Sequence, residues 1–124
     1  MMRRALFLLL LSGPSLSGCT YDNAEELLES QPVVACDLTA VTYQATIAPI
    51  LARNCRSCHN ATLPSGSINL ETYAQVKRLA DNGLLVGVTS HADGFDPMPQ
   101  GAPKLSDCDI SRIKKWVADG APDN

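Results

Sequence analysis

The sequence feature that most constrains this chain is a closely spaced set of two cysteines and one histidine, Cys55-Arg56-Ser57-Cys58-His59. Two thiols three residues apart near a helix end can reach the two vinyl groups along one edge of a porphyrin. The adjacent imidazole then falls on one face of that ring. The spacing therefore predicts covalent attachment of one haem c through Cys55 and Cys58, with His59 as an axial ligand of the iron.

Two other kinds of site use the same cysteine spacing. A thioredoxin-like redox motif requires a βαβ context, and no convincing strand pattern surrounds Cys55. Half of a zinc site would need two further ligands in a comparable cluster. Both interpretations are weaker than haem attachment.

A single axial histidine leaves the opposite face of the iron to be filled. Met98 lies in the segment 95–101, where flanking prolines would hold the loop rigid and present the thioether inward. His/Met ligation raises the reduction potential. His91, the only other histidine in the chain, is the alternative sixth ligand; otherwise it is expected to cap the loop or contact a haem propionate. An open sixth position, with Met98 as core filler, is the third alternative.

The N-terminal segment predicts export. Arg3 and Arg4 precede an apolar run at 5–11 that is too short to remain as a membrane-spanning helix. Positions 16–19 read Leu-Ser-Gly-Cys, which looks like a bacterial lipobox and implies cleavage after residue 18 and a lipid on the Cys19 thiol. An ordinary secretory signal, with Cys19 incidental, is the alternative.

These signals divide the chain into a lipoprotein signal peptide at 1–18, a lipid-anchored tether at 19–35 and a folded domain at 36–124. The tether is polar and acidic, although a short helix over 24–30 is an alternative for part of it. We expect the domain on the periplasmic or cell-surface side of a membrane. Ten basic residues less the two in the signal leave eight, against 13 acidic ones, so nothing suggests nucleic-acid binding.

Five cysteines are present, and lipid and haem account for three of them. Cys36 and Cys108 remain, and in an oxidising compartment they predict a disulfide between the N-terminal edge of the domain and its last helix. Closing so long a loop contributes roughly 4 kcal/mol. Two unpaired thiols are the alternative, because sequence does not give the distance between their Cα atoms.

Hydrophobic spacing predicts a helix over 42–54, which Pro49 kinks or divides into two short pieces. A second helix starts after Thr72, a plausible N-cap, and stops at Gly83, a residue suited to a left-handed helix end.

The last helix is the clearest of the three. Ser106 is expected to cap it and Gly120 to end it. The stretch between the second and last helices, residues 84–105, is predicted to be a long irregular loop. Three helices and no convincing strand make the domain all-α.

Several of these segments together resemble planctomycete-type cytochrome c domains. The resemblance covers about residues 40–122, and the segments that carry it are 47–51, 54–59, 70–73, the Met98-Pro99 loop and 105–122. It implies the small cytochrome c fold, with about three helices around one covalently bound haem and long connecting loops.

In that family, the haem-binding motif supplies the two thioether cysteines and the proximal histidine, which implies these roles for Cys55, Cys58 and His59. The Met-Pro motif supplies the distal ligand, which implies Met98. This chain has Gln100 where a second proline is more usual, a departure that leaves the ligand in place. The disulfide is not a general feature of the family.

Two filled axial positions leave the iron no open site for a substrate, which favours outer-sphere electron transfer over catalysis. We therefore expect an electron carrier and not an enzyme, with redox proteins as transient partners at the haem edge and no small-molecule substrate. One alternative is a haem-containing docking or sensing module of a larger membrane-associated complex. The other is an open-site haem enzyme with peroxidase-like activity.

Overall fold

The computed structural model describes residues 35–124, so the predicted signal peptide, Cys19 and nearly all of the predicted tether lie outside the described residues. Within that part the chain forms four α-helices, and no strand is present. The helices are α1 (Ala48–Asn54), α2 (Tyr73–Asp81), α3 (Leu84–Ser90) and α4 (Asp107–Ala118). The predicted all-α class is confirmed. None of the helices between residues 35 and 124 is long and apolar enough to cross a membrane.

The first predicted helix is divided into two pieces. A π-helical turn, Tyr43–Ile47, leads directly into α1. Thr42 caps the turn, because its hydroxyl accepts a hydrogen bond from the Ala45 N–H at 3.2 Å. Pro49 stands in the first turn of α1, where its missing N–H removes no intrahelical hydrogen bond. The proline is therefore tolerated at the junction of the two pieces.

The second predicted helix corresponds to α2. Its N-cap residue is Thr72, but the Thr72 hydroxyl contacts the Gln75 side chain at 2.7 Å instead of a backbone N–H. Gly83, with a φ of 78°, follows the helix in the left-handed conformation that the sequence predicts.

The prediction of one irregular loop over 84–105 was wrong, because its first seven residues form α3. Three β-branched residues and Gly87 give this segment a low intrinsic helix propensity. The helix forms because it buries one side against the core, including Leu85 and Gly87. A Cβ at Gly87 would lie 2.5 Å from the Phe95 ring, so the absence of a side chain at this position lets the ring pack closely on α3.

The last helix, α4, agrees with the sequence in its start and its buried face. Ser106 caps it by accepting a hydrogen bond from the Asp109 N–H at 3.0 Å. Ile113 and Trp116 are fully buried. The Trp116 indole donates to the Pro122 carbonyl at 2.9 Å, which holds the chain after the helix against the core.

Two sets of contacts join the N-terminal part of the domain to its C-terminal part. The Asn124 side chain accepts a hydrogen bond from the Tyr43 N–H at 2.8 Å, and its carbonyl accepts from the Gln44 N–H at 2.9 Å. The predicted disulfide between Cys36 and Cys108 is present, with Cα atoms 5.3 Å apart and a sequence separation of 72. It links the segment before the first helical turn to the first turn of α4.

Candidate functional site

The cysteine and histidine motif lies directly after α1 and is folded as a tight turn. The Cys55 N–H donates to the Leu51 carbonyl at 2.9 Å, which continues the helix hydrogen bonding by one residue. The Cys55 carbonyl then accepts from the N–H groups of Cys58, at 3.2 Å, and His59, at 3.0 Å. This turn fixes the three residues relative to one another, with Cys55 half-buried and Cys58 exposed.

The His59 ring is oriented by a backbone carbonyl. Its Nδ1 lies 3.3 Å from the carbonyl oxygen of Ile68, and a carbonyl oxygen can only accept, so Nδ1 carries the hydrogen. In the neutral ring Nε2 then keeps its lone pair. Metal-ligating histidines commonly donate their other N–H to a carbonyl in this way. The ring is thus held in the tautomer that an axial ligand requires.

An apolar cavity of about 320 Å³ adjoins the motif. This volume lies at the lower end of the range for cofactor and ligand sites, about 300–1,000 Å³. Both Cys55 and His59 line it. Six aliphatic side chains form much of its wall: Ile68, Leu70, Leu79, Leu84, Leu85 and Val88.

Of the two candidates for the sixth ligand, Met98 lines this cavity and His91 does not. The Met98 N–H donates to the Val88 carbonyl of α3 at 3.0 Å. His91 is exposed at the end of α3, and its Nε2 lies 3.0 Å from the Met98 carbonyl oxygen. The structure therefore brings Cys55, His59 and Met98 together and leaves Cys58 and His91 outside the cavity lining.

The buried position of Cys55 bears on the redox interpretation of the motif. Burial raises the pKa of the Cys55 thiol to about 11, and the neighbouring Arg56 opposes this only in part. Reactive C-x-x-C motifs depend on a thiolate whose pKa is lowered to 7 or below. A thiol that stays protonated at neutral pH does not suit a thioredoxin-like reaction.

The zinc interpretation asks for further ligands near the motif. Within residues 35–124, no three His, Cys, Asp or Glu side chains lie close enough together to hold a metal ion.

The residues at this cavity fit a covalently attached haem. Cys55 and Cys58 carry thiols that form no disulfide, His59 offers Nε2, and Met98 offers a soft thioether sulfur. The walls are the apolar surface that a porphyrin requires. Sequence analysis missed α3 as a wall and the Ile68 carbonyl as the partner of His59. The apolar run after Gly83 was the available signal for α3, whereas nothing in the sequence marks the carbonyl.

Comparison with known proteins gives the family of the chain. The chain is similar to cytochrome c6 of Picosynechococcus sp., with 31% identity over an alignment of 85 positions that covers 62% of this chain and 73% of that protein. No family model and no solved structure matches the chain. The four helices and the cysteine-histidine motif beside an apolar cavity define an all-α haem-attachment domain. With this relationship, the chain belongs to the small c-type cytochromes, the family of cytochrome c6.

Proposed function

We propose that the chain is a membrane-anchored electron carrier with one haem c, attached through Cys55 and Cys58 and ligated by His59 and Met98. The observation that supports it most directly is that Cys55, His59 and Met98 line one apolar cavity. When bound there, haem supplies an iron that alternates between the ferrous and ferric states.

Three features of the chain would influence the reduction potential of that iron. The Ile68 carbonyl holds the His59 ring in one orientation and increases the basicity of Nε2. A Met98 thioether favours ferrous iron and so raises the reduction potential. The aliphatic walls would surround a bound haem with apolar groups and disfavour the more highly charged ferric state, which would act in the same direction. Redox proteins that meet the domain transiently are the partners we expect.

The anchoring and subclass belong to the same proposal. We assign residues 1–18 as a lipoprotein signal peptide and 19–35 as a tether lipidated at Cys19, which would hold the domain on the periplasmic or cell-surface side of a membrane. We also assign the domain at 36–124 to the planctomycete type, on the sequence resemblance over 40–122. The lipobox-like sequence at positions 16–19 supports the division at residue 19.

The test is the absorption spectrum of the mature, haem-containing protein, oxidised and reduced. A covalent haem c spectrum and a near-infrared Fe–S charge-transfer band are expected from wild type. Met98→Ala is expected to lose the band. Val88→Ala is the matched control, because it also shortens a side chain of the cavity wall but removes no sulfur, and it is expected to keep the band.

Three results would contradict the proposal. Absence of covalent haem would refute haem attachment through Cys55 and Cys58. A wild-type protein without the band would refute Met98 ligation. A wild-type protein that lacks the band and binds cyanide tightly when ferric, or carbon monoxide tightly when ferrous, would have an open sixth position, which favours the enzyme alternative.

A further inference from the structure

Both backbone polar groups of Met98 are held by the C-terminal end of α3. The N–H donates to the Val88 carbonyl at 3.0 Å. The carbonyl oxygen lies 3.0 Å from Nε2 of His91. Because that oxygen can only accept, Nε2 carries the hydrogen and donates it. Met98 is therefore fixed on both sides of its own Cα, which is the point from which its side chain extends.

The backbone of His91 adds a second observation. This residue ends α3 in the left-handed conformation, with φ 54° and ψ 45°. Glycine is the usual residue at such a helix end, because any Cβ is unfavourable there. A histidine at this position keeps the unfavourable backbone and gains a ring that reaches the Met98 carbonyl. The side chain therefore has a use that glycine would not provide.

We propose that His91 is a positioning residue for Met98 and does not bind the iron itself. Its ring, together with the Val88 carbonyl, holds the Met98 backbone so that the thioether stays directed to the cavity. The ring lies in the solvent-exposed part of the loop, outside the cavity lining, while Met98 is half-buried. This inference rests on the proposed role of Met98 as the sixth ligand.

The test compares His91→Leu with His91→Gln in the haem-containing protein. Leucine removes the donor, whereas glutamine keeps an N–H donor at a similar reach from the backbone. Both residues have a Cβ, so both carry the same left-handed backbone cost. Ferric protein is titrated with imidazole, which competes for the sixth position, and loss of the near-infrared band reports displacement of Met98.

The apparent imidazole affinity depends on how often the sixth position is open. Losing the hydrogen bond raises that population, so His91→Leu is expected to lower the apparent Kd for imidazole about fivefold, which corresponds to about 1 kcal/mol. His91→Gln is expected to stay within about twofold of wild type. Haem content and far-UV circular dichroism establish that all three proteins are folded.

The possible outcomes distinguish failure of this inference from failure of the proposed Met98 ligation. An unchanged Kd in His91→Leu overturns the positioning role while Met98 ligation stands. An equal fall in both variants also overturns it, because loss of the donor is then not the cause. A wild-type protein without the band refutes Met98 ligation and the inference together. If His91→Leu does not fold, long-range ¹H–¹⁵N spectra of the wild-type protein provide the test. A His91 ring that carries hydrogen on Nε2 supports the inference. A neutral His91 ring that carries hydrogen only on Nδ1 overturns it.

Discussion

The effects of substituting Gly87 and Phe95 on stability are expected to be strongly coupled. The coupling decides whether Gly87→Ala raises or lowers the free energy of unfolding. In most helix interiors, glycine to alanine stabilises by about 1 kcal/mol. At Gly87, however, the added Cβ would lie 2.5 Å from the Phe95 ring. Overpacking of this kind costs about 1–3 kcal/mol. Since Phe95 is 40% exposed, its ring can partly swing into water, and we expect the cost to stay within that range.

Gly87→Ala alone is therefore expected to be neutral or to destabilise the protein by up to about 2 kcal/mol. In a Phe95→Ala background the clash is absent, and the same substitution is expected to stabilise by up to about 1 kcal/mol. The four proteins of the cycle are unfolded in urea and followed by far-UV circular dichroism, with m-values checked for constancy. A coupling of about 1–3 kcal/mol is expected. If Gly87→Ala stabilises both backgrounds equally, the close packing of Phe95 on α3 is refuted.

Three further predictions concern the cysteines. Replacing Cys36 and Cys108 together by serine is expected to lower the free energy of unfolding by roughly 4 kcal/mol, measured by urea denaturation; a loss below 1 kcal/mol would contradict it. Cys19→Ser is expected to release the protein from the membrane fraction, and retention there would refute lipid anchoring. In haem-free protein at pH 8, maleimide is expected to modify Cys55 more slowly than Cys58, because burial raises the pKa of Cys55 to about 11 and keeps its thiol neutral. Its rate is expected to rise as pH approaches 11, and equal rates at pH 8 would contradict the burial.

The sequence predicted the elements whose signals are local. Ser106 and the apolar spacing after it marked α4, and Gly83 marked the end of α2, because capping and left-handed glycines act within a few residues. The disulfide followed from counting cysteines. The sequence did not predict α3, because the helix propensity of this segment is low. That helix depends on burial of Leu85 in a core whose other residues include ones from distant segments, and on the packing of Phe95 at Gly87.

The candidate site also has one part with a local sequence signal and one part without. The attachment motif is contiguous in sequence, so haem attachment through it is a prediction made from residue types and spacing alone. The partner of His59 could not be predicted in this way, because it is the backbone carbonyl of Ile68, and every residue has a carbonyl. Which carbonyl faces the ring depends on how the segment between them folds. That segment is held by a hydrogen bond from the Leu70 N–H to the His59 carbonyl at 2.9 Å, a contact with no sequence signature.

The helix that sequence analysis missed is also the element on which the proposed sixth ligand depends. α3 supplies Leu84, Leu85 and Val88 to the cavity wall, and its last turn holds the Met98 N–H through the Val88 carbonyl. A displacement of α3 would therefore change the cavity and the Met98 backbone together. Left-handed residues, Gly83 and His91, stand at its two ends, where the regular helix backbone stops. Under the proposed ligation, the sixth position of the iron depends on packing around α3, whereas the proposed covalent attachment depends on the local turn after α1.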